Sequence, residues 1–376
     1  MSCRTWSTLL LVTFIALTAC GRAIESPQVD ESQLETRVAA TLSAMPEPTN
    51  IATLELPTAT TVPATKILWT CYSCRGDRMW VLGDGEPYER TLPVSMGEYH
   101  GWNGESDRIL FSKEFTSHGA GPGNVSVRDL SILNLTNSAV EVIHSDNVVE
   151  AQWAPDGHAI AYILATESTY ELHWRTLDGM DRVLAENVTF TWSVAPSGKA
   201  IAYTRETGYE LDIDPGLYLV RVDTEEEIKI SDVDKHGTGS IADRPVWSPD
   251  STEVILAHWG GPDEPRLVWA KSDGSASADL AIDPSHSEEW WYTISIPFLL
   301  WDLDGDHLIG APAASKEMLG GPSPLVYYFF DRDSYTLTGG VLLAEISQLI
   351  GWAVPGESVW VRVFGGDFQE VPLPFE

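Results

Sequence analysis

Three stretches of this chain share one skeleton: AQWAPDGHAIAYI (151–163), WSVAPSGKAIAYT (192–204) and PVWSPDSTEVILA (245–257). Each offers a bulky residue, a turn built from Pro with Asp or Ser and Gly, and then an alternating apolar run. Aligned on the bulky residue, copies fall into register without a gap from Trp102, Trp153, Val194, Trp247, Trp301 and Trp352. Four residues on stand Ser106, Gly157, Gly198, Ser251, Gly305 and Gly356; seven on stand Ile109, Ile160, Ile201, Val254, Leu308 and Val359. Nine on, the column reads Phe111, Tyr162, Tyr203, Leu256, Gly310 and Val361. The copies recur every 41 to 54 residues. One such unit cannot bury its apolar face alone, so the units must stack on one another.

Each column has a physical reason. The seventh and ninth positions share one face of a strand, because side chains alternate with period two. In Pro155-Asp156-Gly157, proline sets φ, aspartate bonds its own backbone and glycine closes the turn. The large aromatic before the turn is expected to fill the wedge between neighbouring units. A second phrase follows each first one, at MWVLGDG (79–85), SILNLTN (131–137), LHWRTLDG (172–179), LYLVRVDT (217–224), LVWAKSDG (267–274) and YYFFDRDS (328–335). The unit therefore reads as four antiparallel strands, and the period is that of a β-propeller blade. The expectation is an all-β propeller of seven blades of about 44 residues, or of six if the terminal strands pool into one sheet. The ring is expected to close through N- and C-terminal strands, which covers the last exposed sheet faces.

The pattern W-[SA]-P-D-[GS]-x-x-[IV]-[AL], followed by a strand and an Asp-Gly turn, resembles the TolB-type β-propeller repeat. That motif is also found in the propellers of prolyl-oligopeptidase-like enzymes. The resemblance spans roughly 66–376. The copies at 153 and 247 keep Trp-x-Pro-Asp, whereas those at 102, 301 and 352 depart from it.

The first twenty residues read as a secretory signal, with Arg4 ahead of the apolar run LLLVTFIAL (9–17). Leu17-Thr18-Ala19-Cys20 resembles the bacterial lipobox, which implies lipidation at Cys20 and an anchor in the cell envelope, facing out of the cytoplasm. Residues 21–65 are rich in Thr, Pro, Ala and Glu and hold no aromatic residue. Such a segment cannot bury enough surface to offset its ordering entropy and reads as a flexible linker. From 66 onward short strands broken by turns continue to 376, and every Trp except Trp6 lies there. The domains are thus 1–20 signal, 21–65 linker and 66–376 propeller.

The chain carries 23 Lys+Arg against 55 Asp+Glu, a formal charge of −32. Phosphate backbones need clustered cations, so nucleic acid is not an expected partner. A monomer is expected, with a protein, peptide or glycan as ligand.

Three local features carry possible chemistry. Cys71 and Cys74 lie in CYSC (71–74); no second pair completes a zinc set, and outside the cytoplasm a disulfide pinning a hairpin is expected. Asp302, Asp304 and Asp306 alternate in WDLDGDHL as calcium ligands can, although His307 and Ala313 stand where a helix–loop–helix calcium site needs Gly and Glu. An ordinary acidic turn in the repeat register is the competing reading, and no cofactor is expected. Trp290, Trp291 and Tyr292 can form a carbohydrate or peptide platform, or simply pack between sheets. The sequence holds neither a G-x-S-x-G elbow nor an H-E-x-x-H pair. The expected function is a binding or scaffolding module tethered to a membrane. The alternative is a propeller enzyme, a saccharide hydrolase or lyase, with its site at the central channel.

Overall fold

The computed structural model describes residues 67–69, 76–83, 86–103, 107–113, 115–120, 125–205, 214–232, 244–259, 265–282, 299–302, 305–310, 323–354, 357–363 and 367–373. All lie in Thr61–Glu376, the second of the two units into which the chain divides. Among the described residues every regular element is a strand. The first three, β1 (Ile67–Trp69), β2 (Gly76–Leu82) and β3 (Tyr88–Met96), form an antiparallel sheet of their own. Next come β4 (Glu98–Asn103), β5 (Arg108–Ser112), β6 (Phe115–Ala120), β7 (Val125–Asn134) and β8 (Val140–Trp153), in which β6 pairs only with β7. The far half of β8 opens the following group, with β9 (Ala159–Ala165), β10 (Tyr170–Thr176) and β11 (Asp181–Glu186).

Two four-strand groups follow, the first a sheet of its own and the second joined to a later strand. One is β12 (Trp192–Val194), β13 (Ala200–Arg205), β14 (Gly216–Arg221) and β15 (Glu227–Ser231). The other is β16 (Val246–Trp247), β17 (Glu253–Trp259), β18 (Pro265–Lys271) and β19 (Ser277–Ile282). The chain ends with β20 (Leu299–Trp301), β21 (His307–Gly310), β22 (Ser323–Asp331), β23 (Thr336–Val354), β24 (Ser358–Val363) and β25 (Phe368–Pro372). Like β8, the 19-residue β23 serves two groups, pairing β22 along its first part and β24 along its second. The groups β1–β3 and β23–β25 show three strands where the repeat predicts four. A short parallel contact, Ala281↔Thr336 and Ile282↔Leu337, joins β19 to β23.

The repeat columns explain the packing. Every residue of the seventh column, Ile109, Ile160, Ile201, Val254, Leu308 and Val359, is fully buried. Residues seven and nine on face the preceding group, and the residue between them faces the following one. Thus Ile201 and Tyr203 pack with Trp174 and Leu184 of the group before, while Ala202 packs with Trp247 and Val254 of the group after. The second strand of each group is therefore apolar on both sides, as in a sheet covered on both faces. The same rule closes the ring. Trp360 and Phe368, from the last group, pack with Trp80 and Leu82 of β2, and the Trp80 and Phe368 rings lie 5.0 Å apart. Closure is carried by side chains of facing sheets; among the described residues β1–β3 pair only with each other. The described sheets are those of a β-propeller.

The bulky column lies, as expected, at the interface with the preceding group. Trp247 and Trp301 are buried, and the half-buried Trp102, Trp153 and Trp352 pack on the equivalent clusters. Two indoles also reach across by hydrogen bonding. Trp153 donates Nε1–H to the Gly101 carbonyl (3.3 Å) and Trp247 to the Ser193 carbonyl (3.2 Å), each one residue before the preceding bulky position. The turn column takes positive φ in Gly157 (66°), Gly198 (69°), Ser251 (64°) and Gly305 (79°), which is why Gly dominates it.

Candidate functional site

The first strands of successive groups, β4, β8 and β12 among them, approach one another and form the inner edge of the ring. Their backbones are stitched by side chains because they do not form a common ladder. Gln152 donates Nε2–H to the Trp192 carbonyl (3.3 Å) and accepts from Val194 N–H (3.3 Å).

Just before the bulky column, these inner strands bring charged groups together. Glu98 stands on β4, Glu150 on β8, and Arg244 just ahead of β16. Glu150 pairs with Arg244 and also accepts the Nε1–H of the fully buried Trp192 at 3.0 Å. The pair bypasses the β12–β15 group entirely, so it spans the inner edge rather than one interface. Arg128 of β7 pairs with Glu98 and donates Nη1–H to the Val149 carbonyl (3.0 Å). Guanidinium and carboxylate alternate, which is the arrangement that holds buried charge at least cost. Arg244 keeps about half of its side chain in solvent (53%), whereas Arg128 keeps 12%. The accessible member is therefore a cation already held in place by a carboxylate.

Electrostatics at this end follow from burial. The Glu98 carboxyl is raised above its ordinary value, chiefly by loss of solvent, with Arg128 opposing and Glu150 adding. The His100 imidazole is pushed down to about 3 by burial and then by the cations Arg128 and Arg244. His100 is thus neutral at physiological pH. Its Nε2 lies 2.8 Å from Ser112 Oγ, which donates to the Asp129 carbonyl (2.5 Å).

A second polar concavity lies on the outer side of the sheets. A cavity of about 600 Å³ runs between β11 and the β13–β15 sheet, lined along one wall by Val183 to Asn187. The opposite wall carries Arg205, Tyr218 and Glu227. Tyr203 and Tyr218 stack with centroids 5.8 Å apart, and the Arg205 guanidinium sits 4.6 Å over Tyr218. Arg205 pairs with Glu227 (2.7 Å), and Glu227 also accepts the Tyr203 hydroxyl. Tyr162 repeats this relation one unit earlier, donating to Asp181 (2.5 Å) and stacking on His173 at 5.0 Å.

Of the sites named from sequence, the described residues include Asp302 and Asp306. Asp302 is buried and serves its own turn, accepting from His307 N–H (3.1 Å) and lying 2.7 Å from His307 Nδ1. It occupies the position of Ser248, which accepts from Glu253 N–H (2.9 Å) in the preceding unit. Asp306 pairs with Arg332 at 2.7 Å, and the same guanidinium holds the buried Glu253. Both carboxylates have partners within the protein; Asp304 lies outside the described residues. Among the described residues no group of three or more His, Cys, Asp or Glu is arranged to hold a metal ion. Cys20, Cys71, Cys74, Trp290, Trp291 and Tyr292 also lie outside the described residues. Sequence reasoning did not single out Glu98, Arg128, Glu150 or Arg244. No repeat column carries their charge, since the place three residues before the bulky position holds Glu150, Thr191 and Arg244 in three successive units.

No protein-family model matches the chain, and no curated protein matches it. Among solved structures, hydrazine synthase from Kuenenia stuttgartiensis is similar over 87% of this chain and 100% of that chain, at 10% identity and a TM-score of 0.55. TolB from Acinetobacter baumannii is similar over 83% of this chain and 79% of its own, at 13% identity and a TM-score of 0.42. The β-propeller domain of the Trilobed protease from Pyrococcus furiosus gives 74% and 84%, 11% identity and 0.45. At such identities the likeness concerns the fold.

Proposed function

We propose that the chain is a lipid-anchored, extracytoplasmic β-propeller of TolB type with seven blades, acting as a binding module for a protein, peptide or glycan. The address rests on the lipobox-like segment ending at Cys20. The blade number rests on the strand groups, whose apolar clusters each join one group to the next and the last to the first. The observation that carries the binding role is the charged end of the channel, where Glu98, Arg128, Glu150, Trp192 and Arg244 come together from separate strands. A ligand anion can bind Arg244 without the ring moving, because Glu150 already orients the guanidinium and half of that side chain meets solvent. Rigid inner strands supply the preorganisation that keeps ordering costs low.

The full chain in detergent micelles, applied to glycan and peptide arrays, tests this reading. Ligands should lose about tenfold or more in signal with Arg244→Met, the order of one charged hydrogen bond, under conditions where tryptophan fluorescence shows the variant folded. Hits indifferent to that change, or no hits, refute the channel end as the site. Cys20→Ser should release the chain from the membrane fraction; retention there refutes the anchor. The enzymatic alternative draws on one observation, the raised Glu98 carboxyl beside Glu150. Saccharide turnover abolished by Glu98→Gln would favour it.

A further inference from the structure

The outer cavity has a property independent of the channel. Its first wall consists of five consecutive residues, Val183 to Asn187, so what lines it is the length of a strand and not a few side chains. That strand, β11, pairs with β10 on one side, from Glu171↔Glu186 to Arg175↔Asp181, and has no strand on its other side among the described residues. Its backbone is reachable from the cavity, because Arg205 reaches over from the next sheet and donates Nε–H (3.2 Å) and Nη2–H (3.0 Å) to the Glu186 carbonyl.

Edge strands are ordinarily blunted by Lys, Pro or a covering loop, because an open edge templates pairing with another chain. The sequence of β11, Asp-Arg-Val-Leu-Ala-Glu, has neither Lys nor Pro. Met180 (63% exposed), Val183 (41%) and Phe190 (41%), on or beside β11, are large apolar side chains left in solvent. The wall opposite is acidic: Asp214, Glu225 and Glu227, with Glu186 on the near side, against Arg205. Asp214 pairs with Lys229 (2.8 Å) and Glu225 with Arg182 (3.2 Å). Exposed pairs of this kind contribute little and exchange readily for a ligand's cation. Glu186 has no ion pair among the described residues.

We infer that this groove binds an extended basic segment of another protein, which adds as a strand to the open edge of β11 and sets alternate Lys or Arg side chains against the acidic wall. A six-residue strand spans about 20 Å, so the segment is short. Main-chain pairing supplies affinity and the alternate side chains supply selectivity, as in other strand-addition sites. Charge argues against a second copy as the occupant, since the chain itself carries −32.

The probe is a fluorescent heptapeptide alternating Lys and Val, titrated against the full chain in micelles and read by anisotropy. Saturable binding is expected. A version N-methylated at alternate amides keeps the charge but cannot pair its backbone, and should bind at least about tenfold more weakly. Glu186→Lys should weaken the parent peptide by about tenfold and Val183→Lys at least as much, whereas Arg244→Met should leave it unchanged. If Val183→Lys fails to fold, Glu186→Lys, on an exposed side chain, still reads the groove. Absence of saturation, equal binding of the N-methylated peptide, indifference to Glu186→Lys, or loss of binding in Arg244→Met each overturns the proposal. So does a dimer in sedimentation velocity that Val183→Lys dissociates, which would make a second copy the occupant.

Discussion

Gly157 and Gly198 hold the same place in neighbouring units and nearly the same φ, 66° and 69°. A Cβ in this conformation costs about 1–2 kcal/mol, offset by about 0.4–1 kcal/mol from the stiffer unfolded chain. Gly198→Ala adds little else, because the new Cβ would meet only Pro155 Cδ at 3.7 Å. Its expected cost is therefore about 1 kcal/mol. At Gly157 the Cβ would fall 1.8 Å from Asn103 Nδ2 and 2.5 Å from its Cγ. Asn103 is buried and donates Nδ2–H to the Gly157 carbonyl at 2.9 Å, so it must swing away and abandon a bond across the interface. Losing a buried bond costs about 1–3 kcal/mol, so Gly157→Ala should cost about 2–4 kcal/mol in all. Urea unfolding of the full chain, followed by tryptophan fluorescence, measures both. Asn103→Ala in the Gly157→Ala background removes the obstruction, so the two changes should couple rather than add. If the two glycine variants agree within about 0.5 kcal/mol, the interface contact at Asn103 has no energetic role and the reasoning fails.

Other changes test other parts of the ring. Trp247→Ala should cost about 3–5 kcal/mol, and the half-buried Trp153→Ala less; equal costs would mean burial does not set the wedge energy. Arg332→Met strands the buried Glu253, which it holds at 3.0 Å, and should cost about 3 kcal/mol; Arg78→Met, at an exposed pair with Glu89, should cost under about 1 kcal/mol. Both are read from the same urea midpoints. His100 is held at about 3 in the fold against about 6.5 when unfolded. Between those values the unfolded chain binds the extra proton, so its contribution is present above about pH 6.5 and drains away as pH falls toward 3. His100→Gln should flatten stability against pH over that window, whereas Glu98, whose carboxyl is raised, acts in the opposite sense and stays constant in the comparison. An unchanged acid limb would show that the imidazole is charged in the fold.

What could be read in the sequence was what recurs. The turn column announces itself because positive φ selects Gly, and its Ser251 exception is instructive: the side chain tolerates φ 64° while its Oγ accepts Ser197 N–H at 3.0 Å across the interface. Ile160, Ile201 and Val254 stand out because a fully buried strand position admits little but β-branched and apolar residues. The channel-end cluster was not legible for the converse reason. Glu150 and Arg244 are 94 residues apart, and no periodic column carries their charge, since the equivalent place in the unit between them is Thr191. The spacing of Asp302 with Asp304 and Asp306 does not announce that Asp302 shares the place of Ser248 and accepts a turn hydrogen bond as Ser248 does. The groove along β11 depends on which edge is left open, and alternation along a strand says nothing about its neighbours.

The continuity of β8 and β23 has a mechanical consequence. Neither can be peeled from one sheet without fraying the next, so the sheets they join should exchange their amide hydrogens as single cooperative blocks. Between β11 and β12 the peptide leaves one sheet before it joins the next, and side chains such as Gln152 and Arg205 do the bridging. At that seam, beside an apolar cluster that runs from Leu184 to Tyr203, β11 also keeps a lateral edge on which no described strand is paired.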